Sequence, residues 1–183
     1  MGTYSLIHSR FVLLLIGLLL GIFPLLGQTV SPDHASATPT RWVEDLPIFE
    51  TFEEFSPLLS QANDTTYVVN FWATWCKPCV AELPYFEAFH AQAADQPVKV
   101  LLVSLDFPKQ IETTLLSFVK RKELQSEVIV LLDGKYNQWI DQVSPDWSGA
   151  IPATLVFRNQ SHIFREGSFE SVEDLQNFVH SLP

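Results

Sequence analysis

The chain has 183 residues, a hydrophobic content of 47% and a formal net charge of −10 from 21 acidic and 11 basic residues. This length fits one domain with an appendage, and the apolar content is sufficient for a buried core. A nucleic-acid-binding surface needs a stripe of basic side chains, and the largest basic cluster here is Lys120-Arg121-Lys122, so the sequence excludes nucleic acid as a partner.

The first 27 residues differ in composition from the rest. Arg10 precedes an uncharged apolar run from Phe11 to Leu26. The run is shorter than the about 20 residues that cross a bilayer and has the length of a signal-peptide core. We therefore expect export, with residues 1–27 acting either as a cleaved signal peptide or as a membrane anchor. Residues 28–40 are polar and carry Pro32 and Pro39, which predicts a flexible tether before a folded domain at 41–183.

Apolar runs rich in β-branched and aromatic residues predict the strands of the domain. Three read as strands buried on both faces, and two more flank a turn and read as a hairpin. The buried strands are Thr65–Ala73, Val98–Leu105 and Val128–Leu132, and the hairpin strands are 153–157 and 162–166.

Helical spacing of apolar residues predicts the helices between these strands. One covers Lys109–Arg121, and another follows a capping box formed by Ser171 and Asp174. An earlier helix begins either at Phe52, capped by Thr51, or at Pro57 in a first turn capped by Ser56. Alternating strands and helices predict an α/β class protein with a mixed sheet.

Both cysteines of the chain, Cys76 and Cys79, lie in the segment "NFWATWCKPCVAELPYFE" that ends the first buried strand. A structural staple gains stability by closing a long loop, and this pair closes a very short one. As a redox pair the spacing is suitable. Cys76 falls at a helix N-terminus, where free N–H groups favour a thiolate, and Cys79 lies one turn further on the same side.

The neighbours of the cysteines fit redox chemistry. Pro78 suits the first turn of a helix, and Lys77 adds positive charge beside Cys76. Trp72 and Trp75 offer apolar surface to a docking peptide. Zinc is disfavoured because the five histidines show no spacing with the cysteines, and copper would need further soft or imidazole ligands. An inert disulfide in an exported domain remains as the main alternative.

Two motifs carry a family resemblance. "VVNFWATWCKPCVAELPYFE" and "GAIPATLVF" resemble the active-site segments of exported thioredoxin-fold thiol-disulfide oxidoreductases of the TlpA/ResA type. The resemblance extends from residue 41 onward and implies a three-layer α/β/α thioredoxin fold with an inserted helix and strand. It also implies a cis Ile151–Pro152 bond opposite the cysteines, with Ile151 pairing with an incoming peptide.

The chain departs from ordinary cytoplasmic thioredoxins in its length before the proline loop and at one position of the predicted first buried strand. Asn70 stands where those proteins carry a buried aspartate, so it cannot act as a base. Glu82, one turn beyond Cys79, is the candidate proton acceptor, which the resemblance supports. The alternative is an ordinary solvated glutamate before Pro84. Trp147, expected near the cysteines, either shapes a substrate groove or packs in the core.

The resemblance implies an enzyme that reduces protein disulfides in the bacterial periplasm or cell envelope, anchored to the inner membrane by residues 11–26 if these are retained. Such proteins receive electrons from a membrane thiol carrier, some prepare apocytochrome c for haem attachment, and no cofactor or metal is implied. The alternative is a non-enzymatic metallochaperone or adaptor with a structural disulfide. A peroxidase is disfavoured because the usual surroundings of a peroxidatic cysteine are absent.

Overall fold

The computed structural model describes residues 37–183, in which seven strands form one mixed sheet in the order β1-β2-β5-β4-β3-β6-β7. The strands are β1 Arg41–Val43, β2 Leu46–Phe49, β3 Thr66–Trp72, β4 Val98–Ser104, β5 Glu127–Leu131, β6 Ala153–Arg158 and β7 Ser161–Glu166. Strands β2, β5, β4 and β3 are parallel, whereas β1, β6 and β7 run antiparallel to their neighbours.

Helical segments cover both faces of this sheet. They are α1 Phe52–Phe55, α2 Lys77–Gln92, α3 Leu116–Lys122, α4 Ile140–Val143 and α5 Val172–His180, with 3₁₀ turns at Ser56–Ser60, Pro108–Gln110 and Tyr136–Gln138 and a π-helical turn at Ile111–Leu115. Side chains alternate along β3, so Val68 and Trp72 pack with α2, α3 and α5. Val69 and Phe71 pack with α1 and α4 on the other face. The predicted three layers and mixed sheet are confirmed.

The strands expected from apolar runs are confirmed, with ends within one residue of the prediction. The insertion between β4 and the proline loop contains the expected helix and strand, α3 and β5. The hairpin β1–β2 was not predicted from the sequence. Its parallel partner is β5, which pairs Ile48 with Val130.

The structure refines the helix predictions. Thr51 forms a complete capping box with Glu54, so α1 begins at Phe52, and Pro57 lies in the first turn of the 3₁₀ helix that follows. The helix expected at Lys109–Arg121 is divided into 3₁₀, π and α turns.

The capping box expected at Ser171 is half formed, and the other half of that prediction is wrong. Ser171 accepts the N–H of Asp174, but the Asp174 carboxylate accepts the N–H of Glu170 and not that of Ser171. The α5 helix therefore begins at Val172 behind a single side-chain cap.

The expected signal or anchor, residues 1–27, and all but the last four residues of the expected tether lie outside the described residues. No helix among residues 37–183 is long and apolar enough to cross a bilayer.

Candidate active site

The two cysteines lie where the central strand β3 passes into α2, as the sequence predicts. Cys76 is the N-cap of α2, Cys79 lies in its first turn, and the two are joined by a disulfide bond. The backbone N–H of Cys79 donates to Cys76 Sγ at 3.3 Å. A helix N-terminus directed at this sulfur would stabilise negative charge on it after reduction.

Access to the disulfide is asymmetric. Cys79 is fully buried, whereas Cys76 is 6% exposed and is flanked by exposed Lys77 and Pro78. An incoming sulfur therefore reaches Cys76 first.

The proline loop faces the same sulfur. The carbonyl oxygen of Ile151 lies 3.7 Å from Cys76 Sγ, and Pro152 is buried. The Ile151–Pro152 peptide bond is cis, which confirms the expectation from the resemblance.

Glu82 lies on α2 one turn after Cys79 and is buried, which rules out the solvated alternative. Its Oε1 accepts the amide N–H of Asn70 at 3.0 Å, and its Oε2 accepts the backbone N–H of Phe169 at 2.8 Å. The same Asn70 amide also donates to Thr154 Oγ1 at 3.1 Å.

Burial raises the pKa of Glu82 from 4.5 to about 7, although both hydrogen bonds and the charge of Arg165 act in the opposite direction. A carboxyl that titrates near neutral pH is suited to proton transfer, because it can accept and release a proton under the same conditions.

An apolar groove adjoins the disulfide. Trp75 is 49% exposed, and its ring stacks on Phe107 with centroids 5.9 Å apart. The other groove residues are Leu105, Tyr136, Ile140, Trp147, Gly149 and Ile151.

Trp147 and Trp72 are both buried. Trp147 donates its indole N–H to Ala150 at 2.7 Å and packs in the core beneath the groove, so it is both a core residue and part of the groove lining. Trp72 is fully buried against Phe118, so the expectation that it offers docking surface is wrong.

Asp106 is a site residue that the sequence analysis missed. Its buried carboxylate accepts the backbone N–H of Thr74 at 3.0 Å, the Thr74 hydroxyl, and the Ser104 hydroxyl at 2.8 Å. These bonds tie the turn before Cys76 to the end of β4. The signal was present, because Asp106 directly follows the predicted buried strand Val98–Leu105, and the carboxyl ends of parallel strands share one edge of the sheet.

Among residues 37–183, no group of three or more His, Cys, Asp or Glu side chains is arranged to hold a metal ion. The described residues of the site supply two sulfurs, the buried carboxyls of Glu82 and Asp106, and an apolar groove.

Comparison with known proteins assigns the family. The family model described as AhpC/TSA matches residues 50–165, well over half of the chain. The chain belongs to the AhpC/TSA family. One relative is the thiol-disulfide oxidoreductase ResA of Oceanobacillus iheyensis. It is 39% identical to this chain over 59 residues, which is 32% of this chain and 31% of ResA. The chain thus aligns with about a third of the length of that relative, and the expected resemblance to the ResA type is confirmed.

Solved structures confirm the thioredoxin fold. The thioredoxin-related protein of Neisseria meningitidis serogroup B matches with a TM-score of 0.55 at 20% identity, over 66% of this chain and 86% of that protein. A secreted disulfide oxidoreductase of Mycobacterium tuberculosis matches with a TM-score of 0.50 at 21% identity, over 66% of this chain and 84% of that protein. At these identities the likeness concerns the fold.

Proposed function

We propose that this AhpC/TSA family member is a thiol-disulfide oxidoreductase that reduces disulfide bonds in proteins. The observation that carries the proposal is the Cys76–Cys79 disulfide at the N-terminus of α2, in which Cys76 keeps a small exposed area and Cys79 is fully buried. A purely structural disulfide has no need of a helix N-terminus, an adjacent apolar groove and a buried carboxyl.

The proposed reaction has two exchange steps. In the reduced protein the Cys76 thiolate attacks one sulfur of a client disulfide, which forms a mixed disulfide and releases the other client sulfur as a thiolate. The Cys79 thiolate then attacks Cys76 Sγ, which breaks the mixed disulfide, forms the Cys76–Cys79 bond and releases the second client thiol. Two electrons pass from the dithiol to the client.

We propose that Glu82 takes the proton of Cys79 before the second step. Cys79 is fully buried, so bulk water does not reach its thiol, and the buried Glu82 lies one turn further along α2. With its pKa raised to about 7, the carboxyl is a base strong enough to assist a thiol at neutral pH.

We assign client binding to the proline loop and the groove. The backbone of Ile151 would pair with an extended client segment, and Trp75 and Phe107 would contact an apolar client side chain beside the attacked disulfide. Exposed Lys77 would add positive charge near Cys76, and Pro78 would keep the first turn of α2 rigid.

We propose that the protein acts outside the cytoplasm, in the bacterial periplasm or cell envelope. Support comes from the apolar N-terminal run and from the secreted Mycobacterium tuberculosis protein that shares the fold. Continued turnover requires reduction of Cys76–Cys79 by a thiol donor, which we place in the membrane. Apocytochrome c is one client class consistent with this setting.

Trapping of mixed disulfides tests the function. Cys79→Ser removes the resolving sulfur, so this variant should accumulate mixed disulfides with envelope proteins, whereas Cys76→Ser should accumulate none. If only Cys76→Ser traps partners, the assignment of the nucleophile is wrong. If neither variant traps partners and the wild-type protein fails to reduce the disulfides of insulin, the adaptor alternative replaces the enzyme.

A further inference from the structure

The guanidinium of Arg165 on β7 is held in place by three contacts. Nη1 donates to Asp174 Oδ1 at 2.9 Å, Nη2 donates to the backbone oxygen of Ser168 at 3.1 Å, and Cζ lies 4.4 Å from the ring centroid of Phe169. The side chain is about one third exposed, so its charge is only partly screened by solvent.

One peptide group connects Arg165 to Glu82. The oxygen of Ser168 and the N–H of Phe169 belong to the same peptide unit. Arg165 binds the oxygen, and the N–H donates to Glu82 Oε2 at 2.8 Å. A cation at the oxygen end polarises the amide, which makes its N–H a stronger donor to a carboxylate. The ionised form of Glu82 is stabilised by this arrangement.

The charged and titratable groups around Glu82 are few. Cys79 lies on the same helix as Glu82, Cys76 caps that helix, and the amide of Asn70 on β3 is neutral. Within the described part of the chain, Arg165 supplies the one charge found to act on Glu82, and it lowers the pKa of that carboxyl. Asp174 of α5 pairs with Arg165 and so offsets part of its charge.

We propose that Arg165 is a positioning residue that acts on Glu82 through the Ser168–Phe169 peptide group and sets the pH range in which Glu82 accepts the Cys79 proton. The action of Arg165 on Glu82 follows from the contacts above. The link from Arg165 to thiol-disulfide exchange rests on the proposed function of Glu82. Asp174 has the opposite effect, because it neutralises the cation that favours ionised Glu82.

Opposite substitutions test the proposal. Arg165→Met keeps the aliphatic stem over Phe169 and removes the charge, so the pKa of Glu82 should rise, with proton binding about tenfold tighter. Asp174→Asn leaves Arg165 without its counterion, so the pKa of Glu82 should fall. Arg165→Lys retains a charge, so the pKa of Glu82 in this variant should lie between its values in the wild type and in Arg165→Met.

The direct readout is titration of the Glu82 carboxyl by carbon NMR in the oxidised protein, where neither cysteine titrates. Arg165→Met and Asp174→Asn break the same ion pair, so simple loosening of the fold would move the pKa of Glu82 in one direction for both. Shifts in the same direction, or no shift in either variant, would overturn the proposal.

The second readout is the pH profile of disulfide reduction. Its midpoint should move up in Arg165→Met and down in Asp174→Asn. If the carboxyl titration shifts while the rate profile stays fixed, the link between Arg165 and exchange is wrong. If the wild-type protein reduces no disulfide, the proposed function fails, and the carboxyl titration still decides whether Arg165 acts on Glu82.

Discussion

The Glu82 carboxyl couples the active site to the stability of the fold. Because burial raises its pKa from 4.5 to about 7, the folded protein binds the Glu82 proton more tightly than the unfolded chain does. This contribution to stability is fully present below pH 4.5 and is lost as the pH rises through about 7.

Glu82→Gln should remove that pH dependence. Between pH 5 and pH 8, the free energy of unfolding of the oxidised wild type should fall relative to that of Glu82→Gln by up to about 3 kcal/mol. Urea denaturation at several pH values measures the difference. Glu112→Gln, at an exposed position, is the control and should follow the wild type. If the difference in unfolding free energy between the wild type and Glu82→Gln stays constant with pH, burial does not raise the pKa of Glu82.

The Phe107 side chain should contribute to the reduction of disulfides in peptide clients and make little difference to the reduction of small disulfides. Phe107 is 56% exposed and stacks on Trp75, so Phe107→Ala removes groove surface without opening the core. For a peptide disulfide with a large apolar neighbour, kcat/KM should fall about tenfold.

Reduction of oxidised glutathione by Phe107→Ala should stay within about twofold of the wild type, because so small a disulfide makes little use of an aromatic wall. Trp42→Ala, which removes an equally exposed aromatic from the edge strand β1, is the matched control and should reduce both substrates normally. Equal losses on both substrates would mean that Phe107 acts on the cysteines themselves.

The sequence predicts site residues where neighbours in the chain are neighbours in space. Cys76 and Cys79 are three residues apart, and their helix position follows from local pattern alone. The partners of Glu82 were not predictable, because Asn70 and Phe169 lie 12 and 87 residues away in the sequence. Trp72 was misjudged because β3 is covered on both faces, so its last side chain is buried like the others.

At the level of elements, a strand was predictable where its own sequence is a mostly apolar run of at least five residues. The strands β3, β4 and β5 meet that condition, because they are covered on both faces. The hairpin β1–β2 lies in "RWVEDLPIFE", where charges and Pro47 interrupt two short runs. Its formation depends on pairing with β5, some 80 residues later, which local sequence does not reveal.

The turn before α2 should depend on Asp106. Asp106→Asn replaces a buried acceptor-only carboxylate by an amide that cannot accept all the bonds from Thr74 and Ser104. The free energy of unfolding should fall by about 2 kcal/mol. Hydrogen exchange should also become faster at the amides of residues 74–76.

Thr74→Ser keeps the hydroxyl that bonds to Asp106 and is the control, with exchange close to that of the wild type. An Asp106→Asn protein of unchanged stability and exchange would show that the turn is held by other contacts.

On the scale of the whole molecule, the sheet separates two apolar clusters. One contains the cysteines, Phe86 and parts of α3 and α5, and the other contains the aromatic residues around α1 and α4. In the second cluster, Phe55 packs edge-on against Phe49 and Phe71. A substitution in that cluster should therefore lower the free energy of unfolding without changing the pH dependence of the chemistry at Cys76.

Two phenylalanine truncations test this separation. Phe55→Ala and Phe86→Ala each empty a fully buried site, so each should cost about 3–5 kcal/mol of unfolding free energy. Of these two residues, only Phe86 contacts Phe169, whose backbone N–H donates to Glu82, so only Phe86→Ala should also shift the pH profile of disulfide reduction. An equal shift in Phe55→Ala would show that the sheet does not isolate the site.

The proposed chemistry depends on a Cys76 thiolate that persists at neutral pH while Cys79 remains covered. The most direct measurement is the rate of iodoacetamide labelling of each cysteine in the reduced protein as a function of pH, resolved by mass spectrometry. Cys76 should label first, with a midpoint below about pH 7, and Cys79 should label far more slowly. Two cysteines that label equally, with midpoints near about 8.5 as in free cysteine, would contradict the proposal.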